Sequence, residues 1–188
     1  MHRYPVYIAM INDKEDAFHL LLEHTNLSAE WITQALIYDM LDRSNSIHPK
    51  YIETLLPYVD RTYAHMILTP LIYNNSITDR IILDMLKNDL NVDIDHVIEA
   101  LNSGRSHAVI KALLDHDINV NKFSTRCRTT ILHVAVYHGR VSIVQLLKER
   151  GASSMTYDGY GRTPFGILKR HNKRTDLYTT INKLLLDH

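Results

Sequence analysis

Thr130-Ile131-Leu132-His133-Val134-Ala135-Val136-Tyr137-His138-Gly139-Arg140 runs directly into Val141-Ser142-Ile143-Val144-Gln145-Leu146-Leu147-Lys148-Glu149-Arg150-Gly151-Ala152. The reading of this stretch decides the fold. It contains two short apolar runs, each closed by a glycine. Gly139 predicts a left-handed residue that reverses the chain between two helices, and Gly151 predicts the same after the second helix. Ala135 is small, as a residue must be where two helices approach closely. The leucines at the end of the second run are placed to bury that helix against its neighbours.

Working outward, the second run proves to be one of six similar phrases, each an apolar anchor, two variable positions and then leucine-like residues. They begin at Phe18, Ile52, Ile82, Ile110, Val144 and Ile181, with spacings of 34, 30, 28, 34 and 37 residues. A recurrence near this length is the mark of stacked structural repeats, in which each unit buries its apolar face only against its neighbours.

Residues 125–168 carry a more specific spelling. Thr130-Ile131-Leu132-His133-Val134-Ala135, the glycine turn, the leucine-ended helix and Gly151-Ala152 are followed by Asp158-Gly159-Tyr160-Gly161-Arg162-Thr163-Pro164-Phe165, and Thr163 lies 33 residues after Thr130. This resembles the ankyrin repeat. The resemblance implies an all-α ankyrin-repeat solenoid of about six stacked helix-turn-helix repeats, with degenerate early repeats, forming a single domain over residues 1–188. The approximate repeats are 1–28, 29–62, 63–94, 95–124, 125–157 and 158–188. It also implies that His133 uses its imidazole to bond a neighbouring repeat. The Thr163 hydroxyl is placed to accept from an orphan N–H at a helix start, and Pro164 suits the first helical turn.

Other repeats are worn. Ala9 precedes Phe18 by nine residues, as Ala135 precedes Val144. Thr69-Pro70-Leu71 is expected to restore the helix opening in the third repeat, and Ser103-Gly104-Arg105 to form the turn of the fourth. Ile32 to Leu41 is expected to be the first helix of the second repeat, with Trp31 at its start and buried. Asp89 and Asp117 stand where a glycine is expected after the leucine tails, so both are expected to enter the left-handed region. Longer turns are expected over residues 42–49 and over 169–174. The series halts at Leu184-Leu185-Leu186-Asp187-His188, where a further turn and a capping repeat are expected, which points to an interrupted, uncapped series.

The chain has 188 residues, 45% of them hydrophobic and 22% charged, which fits a folded protein and argues against global disorder. No apolar stretch is long enough and free enough of charge to span a membrane, and the N-terminal apolar piece is too short for a secretory signal. Cys127 is the sole cysteine, so no intrachain disulfide is possible and a reducing, cytoplasmic home is expected. Net charge is zero, but residues 1–94 carry 7 basic against 13 acidic residues and residues 95–188 carry 14 against 8. Such a division arises by drift along repeats or reflects two differently charged binding faces.

Catalytic and cofactor chemistry finds little footing. The twelve histidines lack ligand spacing, since His19 and His24, like His133 and His138, are five apart, and no H-E-x-x-H or paired C-x-x-C occurs. Cys127 and His133 lack a third orienting group, and no phosphate-cradling glycine loop is present. Lys169, Arg170, His171, Lys173 and Arg174 form a basic loop without interleaved aromatics, so nucleic acid is not expected. No cofactor, metal, membrane or small-molecule substrate is expected, and the chain is not expected to be an enzyme.

A protein partner is expected instead. The loops between repeats offer Phe123, Arg126 and Arg128, then Tyr157, Tyr160 and Arg162; Tyr38, Tyr73 and Tyr137 on the inner helices either line a groove or pack inward. Tyrosine and arginine combine large contact area with polar reach. The richness in Ile, Asn, Asp and Tyr, with worn early and clean late repeats, resembles the ankyrin proteins of poxviruses. That resemblance implies a viral host-range or immune-evasion factor that occludes a host protein in the host cytoplasm. Members of that group commonly end in an F-box-like segment recruiting a ubiquitin ligase; none is present here, so the alternatives are the substrate-recognition part of a longer adaptor or a decayed remnant.

Overall fold

The computed structural model describes residues 5–41, 49–59, 61–87, 90–169 and 176–186. Within them the regular structure is entirely helical, with twelve α-helices in alternating inner and outer roles and one 3-10 turn, Leu56–Tyr58. They group into two units, Met1–Asn91 and Val92–His188.

The first unit holds α1 (Pro5–Ile11), α2 (Glu15–His24), α3 (Ala29–Leu41), α4 (Pro49–Leu55), α5 (Arg61–Tyr73) and α6 (Asp79–Leu86). Helix α1 packs on α2, and α3 packs on α5. Phe18 meets the Tyr51 ring edge-on at 4.8 Å, so adjacent outer helices are joined through an aromatic pair. The Tyr51 hydroxyl donates to Asp13 at 2.8 Å, and Lys50 bridges Asp13 and Glu15 at 2.9 and 2.7 Å. Asp13 itself is left-handed, φ 51°, a conformation its short side chain tolerates.

Helix α5 corrects one expectation. Thr69-Pro70 does not open it: the helix starts eight residues earlier and carries Pro70 in its interior. Residues 61–68, which would have preceded that opening as a loop, are already part of the helix. Pro70 lacks the N–H that would bond one turn back, but it sits close to the helix end, and Asn74 N–H still bonds its carbonyl at 3.0 Å. Trp31 is a second correction. It lies at the start of α3 as expected, yet it is half-buried rather than buried, because the core side of that turn is taken by Ile32.

The second unit holds α7 (Ile94–Asn102), α8 (His107–Leu114), α9 (Ile131–Tyr137), α10 (Val141–Glu149), α11 (Pro164–Leu168) and α12 (Asp176–Leu186). Inner helices α7, α9 and α11 pack in succession, as do outer helices α8, α10 and α12. Asp93 caps α7, accepting from the N–H groups of Asp95 and His96, while His96 Nδ1 accepts from Asp93 N–H. The Thr163 hydroxyl accepts from Gly166 N–H at 3.1 Å with Pro164 at the first helical position. Gly104, Gly139 and Gly151 have φ of 70°, 65° and 80° and turn the chain as expected.

All six anchors, Phe18, Ile52, Ile82, Ile110, Val144 and Ile181, are 0% exposed. They lie on the outer helices α2, α4, α6, α8, α10 and α12.

Asp117 is the third correction. The left-handed residues other than glycine are Asp13 and Arg128 among those described, and Asp117 is not one of them. The exit of α8 is held differently: Arg150, from the end of α10, donates to the Leu114 carbonyl and to the Asp115 carboxylate. That guanidinium satisfies the carbonyl a glycine cap would have turned toward an N–H. Asp89, the turns within 42–48 and 170–175, and His188 lie outside the described residues.

Candidate functional site

Two long connections project in the second unit, residues 115–130 and 150–163, and both are built on one plan. In the first, Ser124 is buried; its N–H donates to the Thr129 carbonyl at 2.9 Å, and its hydroxyl accepts from the N–H groups of Arg126 and Cys127. In the second, Asp158 takes the same place. Its N–H donates to the Arg162 carbonyl at 2.8 Å, and its Oδ1 accepts from the N–H groups of Tyr160 and Arg162. Asp158 Oδ2 receives Arg162 Nε and Nη2 at 2.8 and 2.7 Å. Burial alone would raise this carboxyl, but the bonds from the Arg162 side chain and from the two N–H groups outweigh it and hold the group below the usual carboxylate range.

The two loops are stitched to each other and to the inner helices. Gly159 N–H donates to the Arg128 carbonyl at 2.7 Å. The His133 ring, 1% exposed, places Nε2 2.9 Å from the Arg162 carbonyl and Nδ1 2.7 Å from the Thr130 hydroxyl. A carbonyl can only accept, so Nε2 carries the proton and Nδ1 accepts from Thr130. Burial is the main cause that pulls this imidazole below its ordinary range, so it is neutral. Asn121 ties the loops again, donating to the Gly151 carbonyl and accepting from Ser153 N–H.

Between these loops and the inner helices lies an open groove of about 560 Å³. Its walls include Arg126, Arg128, Tyr137, Tyr160 and Arg162, which sequence reading singled out separately. Tyr160 is 78% exposed and Tyr137 is also exposed, each presenting a ring at the rim. The Arg162 guanidinium lies 4.7 Å from the Tyr160 ring centroid, which stiffens that ring. Phe123 and Tyr157 are exposed, one residue before Ser124 and Asp158, and do not line the groove. Tyr73 is exposed at the end of α5 in the first unit, whereas the side chain of Tyr38 lies outside the described residues.

The groove also uses residues that sequence reading passed over. Ile98, Val134 and Ile167 form apolar parts of its wall, and Asn102 accompanies them at the end of α7. Asn102 faces His138 of the next turn, Oδ1 to Nε2 3.0 Å. The signal was available: Ile98, Val134 and Ile167 recur at nearly the repeat period on successive inner helices. Cys127 lines the groove as an exposed thiol, with its Sγ 3.1 Å from the Ser124 hydroxyl. Large amphipathic rings, guanidinium groups and an apolar wall in one open groove suit contact with another polypeptide.

Comparison with known proteins bears on the fold and on the family. A family profile described as "Ankyrin repeats (3 copies)" matches residues 64–158, half of the chain. An "Ankyrin repeat and LEM domain-containing protein 1 homolog" of Caenorhabditis elegans is 37% identical over 79 residues. That alignment covers 42% of this chain and 11% of the worm protein, so the match spans a small part of that relative's length. Among solved structures, the ankyrin repeat domain of Bcl-3, described as a unique member of the IkappaB protein family, is similar with a TM-score of 0.51. It shares 18% identity, with 97% of this chain and 99% of that one covered, a likeness of fold.

Proposed function

The chain belongs to the ankyrin-repeat family, and we propose that it is a non-catalytic recognition module whose working surface is the groove of its second unit. The observation that supports this best is convergence. Five of the arginines and tyrosines picked out as contact residues, from two loops and one inner helix, border a single open groove. Ankyrin repeats are interaction scaffolds, and this arrangement supplies the large amphipathic contacts such scaffolds use.

In its finer form the proposal is a viral host-range or immune-evasion factor that occupies and occludes a host protein in the host cytoplasm. Support for this form comes from composition, with 11 tyrosines and abundant Ile, Asn and Asp, and from the contrast between worn early and regular late repeats.

The test is differential capture. Tagged full-length chain is incubated with animal-cell lysate and bound proteins are quantified by mass spectrometry, alongside a Tyr137→Ala/Tyr160→Ala variant and a Tyr73→Ala control. All three tyrosines are exposed, so the variants keep the fold. Loss of the same specific protein in the double variant, with retention by the control, is expected. Retention of every bound protein by the double variant would remove the groove from consideration.

A further inference from the structure

Consecutive loops in the second unit turn on matching hydrogen bonds but fill one position differently. In the later loop, Gly161 N–H bonds the Asp158 carbonyl at 3.0 Å and Gly161 has φ 70°. In the earlier loop, Arg128 N–H bonds the Ser124 carbonyl at 3.0 Å and Arg128 has φ 52°. Arg128 thus occupies a left-handed position, the conformation that glycine enters freely and a residue with a Cβ does not. The earlier loop accommodates it with one additional residue, closing on Thr129 five positions after Ser124, where the later loop closes on Arg162 four after Asp158.

Partnership sets Arg128 apart a second time. Three arginines border the groove. Arg162 is held by Asp158, and Arg126 stands 3.6 Å from Glu99. The Arg128 guanidinium makes no hydrogen bond or ion pair with the described residues. Its position in the groove wall places it with the rings of Tyr137 and Tyr160 and with Ile98 and Ile167. No Asp or Glu stands with these three arginines among the residues that line the groove, so its wall favours an anionic occupant. Backbone strain retained at an exposed loop residue is best understood when its side chain has a task.

We propose that Arg128 is the anion-recognising residue of the groove and that the occupant is an extended acidic segment of a protein partner. The Arg128 fork takes an Asp or Glu carboxylate of that segment, and its apolar or aromatic neighbours lie against Tyr137 and Tyr160. This rests on the groove being a protein-recognition surface and adds the chemistry of what it recognises.

A random peptide library displayed on phage is selected against the immobilised full chain and against Arg128→Gly, Arg128→Asn and Arg128→Glu, with the thermal midpoint of each measured. Glycine and asparagine both tolerate the left-handed position, so at least one neutral variant keeps the wild-type midpoint or exceeds it. The wild-type chain is expected to enrich peptides rich in Asp and Glu, and the best of them to bind the neutral variants roughly tenfold more weakly or worse. Arg128→Glu is expected to shift enrichment toward Lys and Arg. Undiminished acidic enrichment by a folded neutral variant would overturn the proposal, as would wild-type enrichment without acidic bias or no enrichment. A fluorescein-labelled uridine oligonucleotide bound by the wild type and released by Arg128→Gly, without acidic peptide bias, would overturn it in favour of phosphate. In each of those cases the lysate comparison still decides separately whether the groove binds protein.

Discussion

Gly159 and Arg128 approach so closely that a Cβ placed on Gly159 would lie 2.7 Å from the Arg128 Cβ and 3.2 Å from the Arg128 carbonyl oxygen. Neither atom is the far end of a flexible side chain, so relief requires the loops to separate. Separation would stretch the 2.7 Å bond from Gly159 N–H to the Arg128 carbonyl. Gly159→Ala is therefore expected to destabilise the second unit by about 1–3 kcal/mol, the usual cost of overpacking. Urea unfolding followed by circular dichroism measures this, and an unchanged midpoint would refute the close approach. Gly161→Ala separates the two ways a glycine is required. That site has open space around the missing Cβ, and its penalty is expected from the left-handed backbone alone.

The repeat framework was legible because it depends on features a sequence displays directly. Apolar anchors recurring every 28 to 37 residues, Gly139 and Gly151 at the reversals, and Thr163-Pro164 at a helix start each carry one dominant structural meaning. Pro70 misled because the same Thr-Pro-Leu spelling occurs where α5 has already been running for two turns, and the lengthened helix has no local signature. Asp117 misled because an arginine 33 positions later supplies the cap. The left-handed state of Arg128 was illegible, since no side-chain preference announces it and it follows from a one-residue difference between loops. The groove was half legible. Exposed tyrosines and arginines declare themselves, whereas Ile98, Val134 and Ile167 read in sequence just like core residues.

The six leucine-ended phrases assign different burial to apolar residues at anchor and at variable positions. Ile52 is 0% exposed, whereas Leu20, within the first phrase, is 58% exposed. Ile52→Ala is expected to destabilise the first unit by about 2–5 kcal/mol, through lost transfer energy and the cavity left behind. Leu20→Ala is expected to stay within about 0.5 kcal/mol of the wild type. Thermal or urea melts of both variants check the register of α2 and α4 together. Equal losses at the two sites would mean that the anchors are wrongly placed.

His133 links stability to pH. Its imidazole is buried, donates from Nε2 to the Arg162 carbonyl and accepts at Nδ1 from Thr130. Burial is the largest influence and lowers its pKa below the ordinary 6.5. An unfolded chain therefore takes up a proton at this residue below about pH 6.5 while the folded chain does not, so the unfolded state binds more protons there. The contribution is fully present above that pH and is lost as pH falls toward the lowered folded value. His138, which is exposed, is drawn in the same direction by partial desolvation and then by Arg140, and solvent screening makes its share smaller. The thermal midpoint is expected to fall between about pH 7.5 and 5.5, and His133→Gln to remove part of that slope and leave the His138 share. At neutral pH the same variant is expected to lose about 1–3 kcal/mol, since Thr130 and the Arg162 carbonyl are left poorly matched. Melts across the pH series measure both effects. A slope identical in wild type and His133→Gln would show that the ring takes its proton as readily folded as unfolded, which its placement against a carbonyl in the core does not allow.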